Sequence, residues 1–196
     1  MSFTLITVII TVAISIAAFN NENLVNKLIL WPRYMNDPQE YYRLLTAGFI
    51  HADWNHLIFN MVSLYFIGSS AESILGMGFL TLYLTGIIIS SLPSFLKHRN
   101  NSYYRSLGAS GGVAAIMFFF IYFAPWSKLY IIFLPIGIPA ILFGVLYLVY
   151  EAYMAKKGGG TMNHDAHFWG AVYGLIYALV IDPTHGKLFL NAVLNP

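Results

Sequence analysis

The 196-residue sequence contains no cysteine, which excludes disulfides and cysteine-ligated zinc sites. It is also poor in charge. Only 9% of its residues are Asp, Glu, Lys or Arg, where a water-soluble domain carries about 25%. Ten basic and eight acidic residues leave a net charge of +2, too few cations to neutralise a run of phosphates, so nucleic acid is excluded as a partner. What is present instead is apolar: 58% of the chain, with a mean hydropathy of +0.67. That composition excludes a soluble globular enzyme and a disordered chain, and makes the lipid bilayer the expected partner. At this length a membrane protein is one compact bundle, so a single domain over 1–196 with no extra soluble domain is expected.

A spanning helix needs roughly 20 apolar residues. Six windows free of Asp, Glu, Lys and Arg approach that size: 2–19, 56–71, 77–96, 107–124, 129–150 and 166–181. They predict an all-α membrane protein, a bundle of six transmembrane helices. The first begins almost at Met1 without a basic n-region or a small-residue cleavage signal, so it reads as a retained span. The runs are continuously apolar and do not alternate, which argues against a β-barrel. Glu72, Glu151 and Asp182 fall just at window ends. Pro135 and Pro139 lie inside the fifth window and predict a bend there. Gly158-Gly159-Gly160 reads as a flexible loop, since no phosphate-loop pattern surrounds it.

Costly polar residues fall into three clusters. His51 leads to His56 and Asn60, which lie four apart and share a helix face, offset by about 40°. Gly108-Ala-Ser110-Gly111-Gly112 opens the fourth window, and His167-x2-Gly170-x3-Gly174 opens the sixth. Glycines four apart let a second helix approach closely, and His167 sits one turn before Gly170 on roughly that face. Each cluster has a plainer explanation as interhelical packing or hydrogen bonding. A single site nevertheless accounts for all three: Ser110 as nucleophile, His167 as base, and His56 and Asn60 as donors to an oxyanion, helped by free backbone N–H groups in the first turn at Ser110.

Other chemistries lack their parts. A metalloprotease wants His-Glu-x-x-His, whereas His51 and His56 are five apart with no Glu between, so no metal is expected. An aspartyl protease needs two carboxylates inside the bundle, and Asp37, Asp53, Asp165 and Asp182 all lie in loops or at span ends. Gly108-x-Ser110-x-Gly112 spells a nucleophile elbow but lacks the strand that an elbow requires. Asp165, two residues before His167, would point about 160° away from it on a helix.

These residues resemble the rhomboid intramembrane serine proteases: His51-x4-His56-x3-Asn60 in the second span, Gly108-x-Ser110-Gly111 in the fourth, and Ala166-His167-x2-Gly170-x3-Gly174 in the sixth. Tyr42-Arg43 is similar to that family's aromatic-Arg motif, with Tyr for the usual Trp, and Glu72 also fits. The resemblance implies a Ser110–His167 dyad needing no cofactor. His56, Asn60 and the Ser110 N–H would form the oxyanion hole, and the substrates would be single-span transmembrane proteins. An inactive relative that binds transmembrane helices without cutting is the alternative. Ala114 stands where some members carry a tyrosine stacked on the histidine. The loops after spans one, three and five hold Lys27, Arg33, Arg43, Lys97, Arg99, Arg105, Lys156 and Lys157, against Lys128 and Lys187 opposite, which by charge bias puts the serine end in the cytoplasm. The resemblance implies the reverse, and the expectation adopted is a bacterial cytoplasmic-membrane protein with its site facing outward.

Overall fold

The computed structural model describes residues 2–130, 136–158 and 162–195, and most of them are helical. Helix α1 (Phe3–Phe19) is capped by Ser2, whose hydroxyl accepts the Leu5 N–H. The first loop holds α2 (Glu22–Leu28) and α3 (Arg43–Thr46). Helix α4 (Trp54–Leu75) starts at Asp53, whose carboxylate accepts the His56 N–H at 2.8 Å. Then come α5 (Gly78–Lys97) and α6 (Ser110–Phe123). An antiparallel hairpin of β1 (Lys128–Tyr130) and β2 (Gly137–Pro139) pairs Leu129 with Ile138. Helices α7 (Ala140–Lys157), α8 (His164–Ile181) and α9 (His185–Leu194) complete the chain. Among the described residues, α4 and α5 are long and apolar enough to cross a bilayer, and α1 and α6 are shorter apolar helices.

The second window, at 56–71, proves to be part of a 22-residue helix, with Glu72 inside its last turn. The fifth window needs correction. Its first residues form β1, and the helix runs instead from Ala140 to Lys157. Pro139 is the N-cap rather than an interior kink, because a residue without an N–H is well suited to precede a helix and poorly suited to continue one. Pro135, Gly159 and Gly160 lie outside the described residues.

Helix α6 is the centre of the fold: every residue from Gly111 to Phe119 is buried. Glycines let its neighbours approach. A Cβ on Gly170 of α8 would lie 3.0 Å from Gly111 Cα, and one on Gly174 would lie 2.8 Å from Ala115 Cα. On the other side a Cβ on Gly111 would lie 2.7 Å from Ser90 Cβ of α5. Phe79, Leu82, Tyr83, Leu64, Ile116 and Phe119 form the main apolar core between α4, α5 and α6.

The outer helices invert the pattern of a soluble protein. The buried residues of α1 are Thr4, Thr7, Thr11, Ser15 and Ala18, while Ile9, Ile10 and Ile16 face outward. In α7 the buried residues are Ala140, Gly144 and Glu151, while Leu142, Val145, Leu146 and Val149 face outward. Small and polar residues inside with branched apolar residues outside is what a hydrocarbon solvent selects.

Candidate active site

The loop before α6 is held from several directions. Gly108 has φ +117°, a conformation L side chains rarely adopt, and its N–H donates to the Ala47 carbonyl at 2.9 Å. The His56 ring fills the space where a Gly108 side chain would stand: a Cβ there would lie 2.6 Å from His56 Cε1. The Ala109 N–H points at His51 Nε2 (3.3 Å), and His51 Nδ1 lies 2.9 Å from Ser15 Oγ, which donates in turn to the Phe49 carbonyl at 3.0 Å. An Nε2 that accepts requires the proton on Nδ1, so His51 is a neutral link between α1 and the residue preceding Ser110. Burial, with repulsion from His56 adding to it, pushes its pKa down to about 3, against an opposing pull from Asp53. Further out, the Arg105 guanidinium lies 3.7 Å from the Trp31 ring centre, and Leu30 and Ser106 exchange backbone hydrogen bonds.

With this loop fixed and the α6–α8 backbones in near contact, Ser110 and His167 meet: Oγ lies 2.8 Å from Nε2. Both residues are half-buried. Ser110 is the first residue of α6, so the N–H groups of its first turn have no acceptor within the helix. His56 lies alongside on α4, its ring 4.9 Å from that of His51. Asn60 is buried one turn below and donates one amide proton to the His56 carbonyl at 3.0 Å, which leaves it only one to offer a substrate.

The remaining motif residues hold the fold together away from this pair. Arg43 Nη1 donates to the Asn26 and Ile29 carbonyls at 2.6 and 3.1 Å, its Nε pairs with Glu40, and the Tyr42 hydroxyl donates to the Lys27 carbonyl. Together they clasp the end of α2. The two Glu72 oxygens accept the Phe3 and Thr4 N–H groups at 2.8 Å each, joining α4 to the start of α1. Asp165 pairs with Lys97 at 2.7 Å and not with His167.

Three residues beside His167 escape the sequence motifs. Glu151 of α7 is 4% exposed, with Oε1 3.1 Å from His167 Nδ1 and Oε2 2.6 Å from His164 Nδ1. The Tyr147 ring lies 6.4 Å from that of His167, tilted 29°, so an aromatic neighbour comes from α7 where Ala114 of α6 supplies none. The signal for Glu151 was available: a carboxylate in an apolar helix demands partners. A window ended at Tyr150 hid it by making it a loop residue. The donor atoms of Glu151, His164 and His167 lie within 4.8 Å of one another, a spacing a cation could use. Two imidazole N–H groups shared by one carboxylate account for the same closeness.

The bundle thus has an apolar exterior and a serine–imidazole contact between two helices packed backbone to backbone. The Rhomboid domain family model matches residues 38–183. The chain belongs to the rhomboid family, whose members are membrane proteins. It is 33% identical to the mitochondrial RHOMBOID-like protein 12 of Arabidopsis thaliana, over 68% of this chain and 44% of that one. It is 28% identical to Rhomboid protease GlpG of Klebsiella pneumoniae (89% and 62%) and 29% identical to Rhomboid protease GluP of Bacillus subtilis (79% and 30%). The chain spans about half the length of the mitochondrial and chloroplastic relatives it matches. These relatives include proteins named mitochondrial and chloroplastic as well as one from Bacillus subtilis, so the expectation of a bacterial cytoplasmic membrane draws no support from them.

Proposed function

We propose that the protein is an intramembrane serine endopeptidase that cleaves single-span transmembrane proteins. The observation that carries this reading is the 2.8 Å contact between Ser110 Oγ and His167 Nε2 at the open N-terminus of α6. Ser110 Oγ attacks the scissile carbonyl carbon while its proton passes to His167 Nε2. The oxyanion is met by the Ser110 N–H and His56, with Asn60 contributing less. His167 then protonates the leaving amine, and water hydrolyses the acyl-enzyme. Peptide bonds in a helix are shielded, so substrates carry helix-weakening residues near the cut.

Six membrane crossings, by α1, α4, α5, α6, α7 and α8, suit this chemistry. A helix of 14 residues, as α6 is, is about 21 Å long against a hydrocarbon core of about 30 Å. With its serine end facing away from the cytoplasm, as the family resemblance implies, so short a helix leaves Ser110 below the bilayer surface.

The test is purified protein in detergent with a model single-span substrate and a fluorophosphonate probe. Wild type cleaves and is labelled; folded Ser110→Ala and His167→Ala do neither. Cleavage at the wild-type rate by either variant refutes the dyad. A folded wild type that binds substrate but neither cuts nor takes the probe establishes the non-cleaving alternative.

A further inference from the structure

We propose that Glu151 is the positioning residue for His167, making the site a serine–histidine–glutamate array in place of an isolated pair. The inference rests on the reading of Ser110 as nucleophile and His167 as base.

Glu151 lies inside α7, six residues before its last residue Lys157, and is nearly fully buried. A buried carboxylate is costly unless its oxygens are hydrogen-bonded. Here each oxygen faces a different imidazole, Oε1 the His167 Nδ1 at 3.1 Å and Oε2 the His164 Nδ1 at 2.6 Å. An ionised carboxylate only accepts, so both Nδ1 atoms carry protons. For His167 this decides the chemistry. A proton on Nδ1 leaves the lone pair on Nε2, the atom 2.8 Å from Ser110 Oγ. The other tautomer would aim an N–H at the serine and a lone pair at a carboxylate. Glu151 thus selects the form of His167 that can accept a proton.

It also acts during the step. As the Oγ electron pair forms the bond to the carbonyl carbon, the π pair moves to oxygen and the Oγ proton goes to Nε2. The resulting imidazolium is balanced by the Glu151 carboxylate, which stays ionised throughout. His164, one turn before His167 on α8, holds the second oxygen and so keeps the first one aimed. Because α7 carries only two other buried residues, Ala140 and Gly144, the carboxylate also ties α7 to α8. The experiment separates that tie from the positioning role.

Full-length Glu151→Gln, Glu151→Asp and Ser110→Ala are purified in detergent. Turnover of the model substrate is resolved into kcat and KM, thermal unfolding is recorded, and ¹⁵N-histidine-labelled samples are examined for the downfield N–H proton of the His167 ring, told apart from that of His164 by its loss in His167→Ala. Glu151→Gln is expected to lose up to about 10⁴-fold in kcat, the loss seen when a triad carboxylate becomes an amide, with KM little changed. Glu151→Asp, which keeps the charge, should recover at least about tenfold of that loss. The downfield proton should be present in wild type and in Ser110→Ala and absent from Glu151→Gln. If Glu151→Gln does not fold, Glu151→Asp and the resonance in Ser110→Ala decide the matter. A Glu151→Gln enzyme with wild-type kcat, or one no worse than Glu151→Asp, overturns the proposal while inactive Ser110→Ala leaves the nucleophile standing. An active Ser110→Ala enzyme removes the underlying reading itself.

Discussion

Gly170→Ala sets one methyl group against the backbone of the neighbouring helix. The new Cβ would lie 3.0 Å from both the Cα and the carbonyl carbon of Gly111, and closer still to its oxygen, whereas ordinary contact begins at 3.4 Å. Backbone atoms cannot rotate aside as a side-chain tip can, so α6 and α8 must separate by roughly 1 Å in a close-packed interior. Overpacking of this kind costs about 1–3 kcal/mol, and a backbone clash belongs at the upper end. The better helix propensity of alanine offsets less than about 1 kcal/mol of it. Gly111 follows Ser110 directly, and His167 precedes Gly170 by one turn. The separation therefore falls on the 2.8 Å Oγ–Nε2 contact, where a misplacement of about 1 Å costs about 10²-fold in rate. Gly174→Ala meets Ala115 in the same way, its Cβ 2.8 Å from Cα, but one turn further from His167. It should lose similar stability and less activity. Gly78→Ala, where the nearest atom is Leu75 Cδ2 at 3.5 Å, is the control that changes neither. Equilibrium unfolding in mixed micelles followed by circular dichroism gives the stabilities, and substrate turnover gives the rates. Wild-type stability and turnover in Gly170→Ala would refute the claim that bare backbone contact between α6 and α8 sets the site.

Three further outcomes are expected. His56→Ala should lower kcat by about 10²- to 10³-fold, the usual cost of an oxyanion donor, and Asn60→Ala by less, because one of its amide protons already goes to the His56 carbonyl; equal rates for both variants and wild type would remove the proposed hole. His51 is held neutral with its pKa near 3, while the unfolded chain titrates near its ordinary value of 6.5. Between those values the unfolded state binds the extra proton, so stability should fall as pH drops from about 6.5 towards 3. His51→Gln should flatten that slope, and an unchanged dependence of the unfolding midpoint on pH would show that His51 does not set it. In this cysteine-free chain, Ser102→Cys, an exposed position in the loop before α6, should react with an impermeant thiol reagent on intact cells; reaction only after lysis would place the serine end in the cytoplasm, as the count of basic residues argues.

Much of this protein is local in origin. Whether twenty residues prefer hydrocarbon to water depends on those residues alone, so the apolar windows mark most of the long helices within a few positions. The same holds for the glycine spacing in α8, which reports a close approach without naming the partner. Ser110, His167, His56 and Asn60 are legible because each sits in a short motif whose residues share a helix face. What the sequence left open are relations across long separations. Glu151 precedes His164 by thirteen residues and His167 by sixteen, across a helix end and a loop, and no periodicity within either segment encodes that pairing. Nor does anything local distinguish the buried face of α7, with Gly144 and Glu151, from its outward face of Leu and Val. Pro139 was misread for a related reason: a window average treats 129–150 as one apolar run, while the hairpin pairing of Leu129 with Ile138 ends that run and leaves the proline to start the helix. Asn60 shows the same limit at the site, since its position on the helix is a matter of spacing but the proton it spends on His56 is a matter of geometry. The sequence by itself determined the apolar character of the long helices and the motifs that hold Ser110 and His167. The packing of α7 and α8 around α6 decided which carboxylate faces His167, because only there do groups from separate helices come within hydrogen-bonding distance.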